Sequence, residues 1–120
     1  MTEKPKSTVE ILSLDDGLAA CRGTVVVIDV FRAFTTAAMA FKQGARRIVV
    51  TDSVTAALAL RDQGVGTACM GEIKGAKAAG FDFPNSPWLV SQADFSGQTV
   101  ILATSNGTAG LVAASGAACL

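Results

Sequence analysis

Short apolar runs alternate with helical stretches of about ten residues, and this alternation restricts the fold more than any other feature. The predicted strands are Val9–Leu14, Val25–Val30, Arg47–Val50, Thr67–Met70 and Thr99–Ala103. The predicted helices are Ala33–Lys42, Val54–Gln63 and Thr108–Ala114, with a short helix from Pro87 to Val90. Strands joined by helices form right-handed βαβ units. The sequence therefore predicts an α/β fold in three layers, with a mainly parallel sheet and helices on both faces.

Individual residues sharpen this prediction. The continuous β-branched run of Val25–Val30 is typical of a strand buried on both faces, which would lie near the centre of the sheet. Gly44 and Gly64 follow the first two helices, where C-terminal glycines are common. Ser86 before Pro87 predicts an N-cap with proline in the first helical turn. The last strand–turn–helix pattern reaches Leu120 where a further strand is expected, so we interpret the sequence as the N-terminal part of a larger fold.

Length and composition narrow the class of protein. The 120 residues are half apolar and 17% charged, which predicts one folded domain over 8–120 after a flexible segment over 1–7. Ten basic residues balance ten acidic ones and no basic run occurs, so we expect no nucleic-acid partner. No signal-like or membrane-spanning run occurs either, so we expect a cytoplasmic protein without a membrane partner.

The sequence contains no histidine, which excludes Ser-His-Asp triads, phosphohistidine chemistry and histidine metal sites. Its three cysteines are an odd number without CxxC spacing, so buried reduced thiols are expected. The sequence also lacks the GxxxxGK[ST] and GxGxxG nucleotide-binding motifs. Any catalysis must therefore use carboxylates, Lys, Arg, hydroxyls, thiols, backbone amides or a hard metal ion.

Polar clusters follow three of the predicted strands, and ligands of open parallel sheets bind beyond the carboxyl ends of the strands. The clusters contain Asp29, Arg32, Thr35 and Thr36; Glu72, Asp82, Asn85 and Ser86; and Asn106, Gly107 and Thr108. We expect them to converge at one edge of the sheet. Each cluster also has a structural interpretation: turn or loop acids, a surface arginine, a helix start at "SNGT", and a stiff turn at "GFDFPNSP".

The residue types in these clusters suit phosphate chemistry. Asp29, Glu72 and Asp82 could share Mg²⁺, which prefers oxygen ligands from carboxylates and from the substrate. Arg32 could hold an anionic oxygen pair with both ends of its guanidinium group. A glycine-containing turn at a helix start, as at Ser105–Thr108, is an anion site. An activated water is then the favoured nucleophile.

Three linked motifs, "VVIDVFRAFTTAA", "GE-x-x-G…GFDFPNSP" and "T-x-NGT", occur in this order. With this spacing the chain resembles the 2-phosphosulfolactate phosphatase family from about Val9 to Leu120. The resemblance implies a Mg²⁺-dependent phosphatase of coenzyme M biosynthesis that hydrolyses 2-phospho-3-sulfolactate to sulfolactate and phosphate. All the residues of the three clusters match the family's motif positions. The chain departs from the family at Ile73, where an arginine is usual, and at Pro84, where a glycine is usual.

The leading hypothesis is a phosphatase with Asp29, Arg32, Glu72 and Asp82 as catalytic residues and a small anionic phosphoester as substrate. The other cluster residues, together with Arg32, would bind the substrate. A non-catalytic anion-binding or interaction domain is an alternative, and an inactive fragment of such a phosphatase is another. We also expect a homo-oligomer, a dimer being favoured, with Leu111–Leu120 at or near the contact.

Overall fold

The computed structural model describes Thr2 and residues 6–120. Of the segment 1–7 that was expected to be flexible, Met1 and residues 3–5 lie outside the described residues. The helices are α1 (Ala33–Lys42), α2 (Val54–Asp62), α3 (Pro87–Val90) and α4 (Gly107–Ala113), preceded by a 3-10 turn at Leu18–Ala20. The strands are β1 (Arg47–Thr51), β2 (Ala68–Ile73), β3 (Ala76–Lys77), β4 (Phe83–Pro84) and β5 (Thr99–Ala103).

Strand β5 lies in the middle of the sheet. It pairs in parallel with β1 on one edge and with β2 on the other, so that Val100 lies opposite both Ile48 and Ala68. The short β4 continues the parallel order beyond β2, and β3 folds back antiparallel to the end of β2. The mainly parallel sheet that the sequence predicted is therefore confirmed.

Alternate residues of β5 enter two separate cores on the two faces of the sheet. Val100 and Leu102 pack in one core, together with side chains of α1 and α3. Ile101 and Ala103 pack in the other, together with side chains of α2. This division follows from the two-residue period of a strand. Helices therefore cover both faces, and the predicted three-layer α/β arrangement is confirmed.

The predicted helix ends also agree with the structure. The Ser86 hydroxyl accepts a hydrogen bond from the Leu89 amide at 3.4 Å, with Pro87 in the first turn of α3. Gly44 and Gly64 have φ of 95° and 77° just after α1 and α2, a conformation in which glycine avoids a Cβ clash. Phe81 and Phe83, on either side of Asp82, enter the α2 core and the α1–α3 core respectively.

The prediction of strands at Val9–Leu14 and Val25–Val30 is wrong within the described residues. Residues 25–30 run into α1 with half-buried and exposed side chains in alternation, and Ile28 is 79% exposed. Among the described residues, the ladder contact nearest to this segment is an isolated parallel bridge between Thr24 and Cys119. β-branched residues favour an extended backbone, but a strand also needs a neighbour with which to exchange hydrogen bonds. The fully buried central position belongs instead to β5.

The thiols agree only in part with the prediction. Cys69 is buried, whereas Cys21 is half-buried and Cys119 is exposed. Burial raises the pKa of the Cys69 thiol, so it stays protonated and is a poor nucleophile. Among the residues that the structure describes, no helix has the length and apolar character that crossing a membrane would require.

The contact between Gly71 of β2 and Ala103 of β5 yields a test of the central strand pair. Gly71 has φ of 144°, and a Cβ atom there would lie 1.7 Å from the Ala103 carbonyl oxygen. We expect Gly71→Ala to lower the free energy of unfolding by about 3 kcal/mol or more, because the strands must separate or distort. Urea unfolding measures this loss.

Gly64→Ala is the matched control. Gly64 also has a positive φ, but nothing lies within 4 Å of a Cβ atom built there. Its replacement should cost only about 1 kcal/mol of backbone strain. Equal losses in the two variants would show that the close approach of β2 and β5 does not matter.

Candidate active site

Two of the three polar clusters meet where β2 and β5 end. Glu72 is the last residue but one of β2, and the turn Thr104–Gly107 follows β5 directly. Because these strands are parallel neighbours, their carboxyl ends lie at the same edge of the sheet. Asp29 and Arg32, which precede α1, approach this edge from the extended segment.

Glu72 connects the end of β2 to the turn after β5 through hydrogen bonds. Its Oε1 accepts a hydrogen bond from the Ser105 amide at 2.8 Å. Its Oε2 accepts one from the Gly75 amide at 2.7 Å and one from the Ser105 hydroxyl at 3.3 Å. The same hydroxyl accepts a hydrogen bond from the Lys74 amide at 3.1 Å. The buried Glu72 carboxylate thus connects the β2–β3 hairpin to the Thr104–Gly107 turn.

Two opposing effects act on the ionisation of Glu72. Burial disfavours the charged form, but the hydrogen bonds from Gly75 and Ser105 favour it, and the positive charge of Arg32 adds to them. The result is a pKa of Glu72 below its ordinary value. Glu72 is therefore a carboxylate at neutral pH.

Asp29 lies where α1 and α4 begin. Its Oδ1 accepts a hydrogen bond from the Ala33 amide at 3.2 Å. A Cβ atom on Gly107 would lie 3.0 Å from Asp29 Oδ2 and 2.7 Å from the Ala33 Cβ, so only glycine lets the two helix starts approach this closely. The turn after β5 therefore contacts Glu72 through Ser105 and Asp29 through Gly107.

The threonines on either side of this turn hold its shape. The Thr108 hydroxyl accepts a hydrogen bond from the Thr104 amide at 2.7 Å, and the Thr104 hydroxyl accepts one from the Thr108 amide at 3.1 Å. Thr108 is fully buried, so its side chain supports the turn. Within residues 6–120, the Asn106 and Gly107 amides have no hydrogen-bond partner, and Asn106 is exposed.

Arg32 and Thr35 are the exposed polar residues at the start of α1. The guanidinium of Arg32 has no hydrogen bond or ion pair to any other described residue, yet it is close enough to Glu72 to lower that residue's pKa. A charged fork without a fixed partner is free to bind an anion. Arg32 therefore adds a positive group to the edge that Glu72 and Asp29 occupy.

Three other predicted site residues have structural partners. The buried Thr36 hydroxyl of α1 donates a hydrogen bond to Asn85 Oδ1 at 2.7 Å, across 49 positions of the chain. Ser86 caps α3, as described above. These contacts attach the "GFDFPNSP" loop to α1 and α3. The interpretation of this loop as a stiff structural turn therefore accounts for Asn85 and Ser86.

Asp82 does not join the other two carboxylates. Its Oδ2 accepts hydrogen bonds from the Cys69 amide at 2.8 Å and from Arg61 Nη1 of α2 at 3.0 Å. Cys69 lies three residues before Glu72 in β2, and three residues of a strand span about 10 Å. No cluster of three or more His, Cys, Asp or Glu side chains suited to a metal occurs in the described part of the chain. The expectation that three carboxylates lie together is therefore not met.

Sequence reasoning missed the hydrogen-bonding roles of Ser105, Thr104 and Arg61. Ser105 lies in the turn that the sequence predicted as an anion site, but its hydrogen bonds join it to Glu72, 33 positions earlier, and no local pattern indicates them. Arg61 lies on α2, 21 positions before Asp82, and no local pattern indicates their ion pair. Such long-range pairs follow from how α2 packs on the sheet.

Comparison with known proteins identifies the family of the chain. The family model described as 2-phosphosulpholactate phosphatase matches residues 12–120. The chain belongs to this family. The matched region thus contains Asp29, Arg32, Glu72 and the turn after β5.

Relatives named "Probable 2-phosphosulfolactate phosphatase" occur in several bacteria. The one from Deinococcus radiodurans is 42% identical over 83 residues, covering 69% of this chain and 35% of that protein. The one from Thermus thermophilus is 43% identical over 84 residues, covering 70% and 35% respectively. The one from Bacillus subtilis is 39% identical over 82 residues, covering 68% and 36%. The chain therefore matches about a third of the length of these relatives.

The Glu72 hydrogen bonds predict a pH-dependent stability. Folding lowers the pKa of Glu72, so its carboxylate stabilises the folded state at neutral pH. This stabilisation is lost as the pH falls through the pKa that Glu72 has in the folded state. We expect Glu72→Gln to cost about 2 kcal/mol at pH 7, since an amide nitrogen cannot accept these bonds. The difference should shrink below about pH 4.3, where an ordinary glutamate takes up its proton.

Urea unfolding of both proteins between about pH 3 and pH 7 measures this change. Glu10→Gln is the control. Glu10 is exposed, and no described residue donates a hydrogen bond to its side chain. It should change stability by less than about 0.5 kcal/mol at every pH. A Glu72→Gln penalty that does not vary with pH would contradict the role of the carboxylate.

Proposed function

We propose that this chain provides the catalytic edge of a phosphatase that hydrolyses a small anionic phosphoester. The observation that carries the proposal is the turn after β5, whose Ser105 binds Glu72 and whose Gly107 contacts Asp29. The turn thereby brings two carboxylates to the end of the sheet where Arg32 lies, which has no hydrogen bond or ion pair to another described residue. Membership of the 2-phosphosulpholactate phosphatase family supports this reaction class.

Substrate recognition would rest on the groups that have no partner among the described residues. Arg32 would hold two phosphate oxygens with its planar fork. The free amides of Asn106 and Gly107 would donate to further oxygens, and the exposed Thr35 hydroxyl would add a neutral donor. Thr36, Asn85, Ser86 and Thr108 would act indirectly, because their side chains hold α1, α3 and the turn in place.

The donor set fits a magnesium ion held by two carboxylates rather than three. A carboxylate has about four lone-pair sites. One Asp29 oxygen accepts a single described hydrogen bond, so Asp29 keeps most of its capacity. Glu72 accepts three hydrogen bonds and retains one site on Oε1. Asp29 with Glu72 would therefore hold Mg²⁺, which commonly uses one or two carboxylates together with substrate oxygens.

Mg²⁺ at this position would polarise the phosphoryl group and supply an activated water as nucleophile. The protein's own groups would orient the ester: Arg32 neutralises negative charge on the phosphoryl oxygens, and the turn amides are fixed donors. The hydrogen bonds that hold Glu72 ionised also keep Ser105 and the turn in place before substrate binds. Such prior ordering reduces the reorganisation needed at the moment of reaction.

We propose 2-phospho-3-sulfolactate as the substrate to test first. The resemblance of the motifs and the names of the relatives both point to it. Its phosphate and sulfonate groups are both anionic, and Arg32 with the turn amides offers donors for anionic oxygens. Ile73, where the family usually has arginine, removes one basic group from this edge.

The first prediction from this proposal concerns Arg32. With Mg²⁺ present, the protein should release phosphate from 2-phospho-3-sulfolactate or from an aryl phosphate. Arg32→Lys keeps the charge but loses the fork, so kcat/KM should fall about a hundredfold or more. Arg47→Lys, at an exposed arginine that begins β1 at the opposite end of the strands, is the control and should leave kcat/KM unchanged.

Phosphate release measured by colorimetry, together with the melting temperature of each variant, checks this expectation. Saturable binding of the phosphoester without any release would favour the alternative of a non-catalytic anion-binding domain. Equal activity in the Arg32 and Arg47 variants would remove Arg32 from the site.

The second prediction concerns the metal. Millimolar Mg²⁺ should raise the melting temperature of the parent protein, because a ligand that binds only the folded state stabilises it. Asp29→Asn should abolish most of this rise. Asp82→Asn should lower the melting temperature through loss of the Arg61 and Cys69 contacts but should keep the Mg²⁺-dependent rise.

Differential scanning fluorimetry with Mg²⁺ or with EDTA measures both effects. A rise that disappears in Asp82→Asn and persists in Asp29→Asn would overturn the assignment of the two carboxylates. Activity that is the same in Mg²⁺ and in EDTA would remove the metal from the reaction.

A further inference from the structure

The segment from Val26 to Val30 has the alternating exposure of a strand but pairs with no strand among the described residues. Val26, Ile28 and Val30 are 76%, 79% and 77% exposed, whereas Val25 and Val27 are half-buried. From Val26 to Val30, the backbone amides and carbonyls form no backbone hydrogen bonds with other described residues. Extended β-branched backbone with free donors and acceptors is a template for another strand.

The surroundings of this segment are also open. A groove of about 940 Å³ runs beside it, lined by the segment itself up to Asp29, by residues between Thr8 and Thr24, and by Gly110 and Ala114 of α4. Asp29, Asn106 and Gly107 line the same groove. The unpaired segment and the candidate active site therefore share one uncovered region of the surface.

The lengths of the relatives indicate what covers this region. The matched parts span 35% of the Deinococcus and Thermus relatives, so most of the family's chain length lies outside the residues matched here. Residues 25–30 lead directly into α1, as the strands of parallel sheets lead into helices. A second copy related by a two-fold axis would instead pair with this edge in the antiparallel direction.

We propose that Val26–Val30 is an interaction surface for a β-strand from the part of the family fold outside the matched region. That strand adds to the free backbone edge and buries the row of Val26, Ile28 and Val30. Main-chain hydrogen bonds supply the affinity, and the β-branched row supplies the apolar contact. The strand also covers the side of the groove on which Asp29 lies. The proposal does not depend on catalysis.

Amide hydrogen exchange tests the proposal. The 120-residue chain is compared with a chimera in which it replaces the matching part of the Thermus thermophilus relative. Amides of residues 26–30 should exchange rapidly in the chain alone, since they have no described partner. In the chimera they should exchange at least about a hundredfold more slowly, because they are then in a ladder. The equivalent amides of the intact Thermus relative are measured as well.

Ile28→Lys probes the apolar contact. A lysine at this exposed position should leave the melting temperature of the chain alone nearly unchanged. In the chimera the added strand would bury the charge, so the melting temperature should fall by about 5 °C or more. Trp88→Lys, at another strongly exposed apolar residue, is the matched control and should change neither protein.

Three results would overturn the proposal. Fast exchange of residues 26–30 in a folded chimera would show that the family fold leaves this edge open. Fast exchange of the equivalent amides in the intact relative would show the same if the chimera does not fold. Slow exchange in the chain alone would mean that another surface covers the edge. Sedimentation then identifies what covers the edge. A dimer indicates a second copy, and a monomer indicates other residues of the same chain.

Discussion

The pairing of β5 with both β1 and β2 is the constraint on which the rest of the structure depends. It separates two cores, because alternate residues of Val100–Ala103 face α1 and α3 on one side and α2 on the other. It also sets the ends of β2 and β5 side by side, with Gly71 against the carbonyl of Ala103. Glu72 can reach the turn after β5 only because these two strand ends are in register.

The register of β2 and β5 sets the positions of the residues in the candidate site. Three hydrogen bonds to Glu72 use both of its carboxylate oxygens to connect the β2–β3 hairpin to Ser105. On the other side of the same turn, Gly107 lets Asp29 and the start of α1 approach. Ser105 therefore has a structural role, and in the proposed function it would also fix where Asn106 and Gly107 direct their amides.

Local signals in the sequence predicted most of the fold but not the long-range pairings. Helix α1 and strand β5 have the bounds that periodicity indicated, and the Ser86 cap was evident from Ser-Pro. The β-branched run at Val25–Val30 shows the alternating exposure of a strand, but propensity says nothing about which strand lies alongside. Asp82 was assigned to the site for the same reason: its bond to Arg61 joins residues 21 positions apart and leaves no local trace.

The unpaired segment Val26–Val30 affects the candidate site because it leaves Asp29 and Arg32 accessible to water. Arg32 is exposed and Asp29 is half-buried, so in the chain alone water screens the interactions of Arg32 and hydrates the Asp29 carboxylate. A strand added along Val26–Val30 removes water from the side of the groove that ends at Asp29. The same charges would then interact in a lower dielectric, where Arg32 and the cation proposed above would stabilise developing negative charge more strongly. Covering this edge would therefore strengthen the site without changing any of its residues.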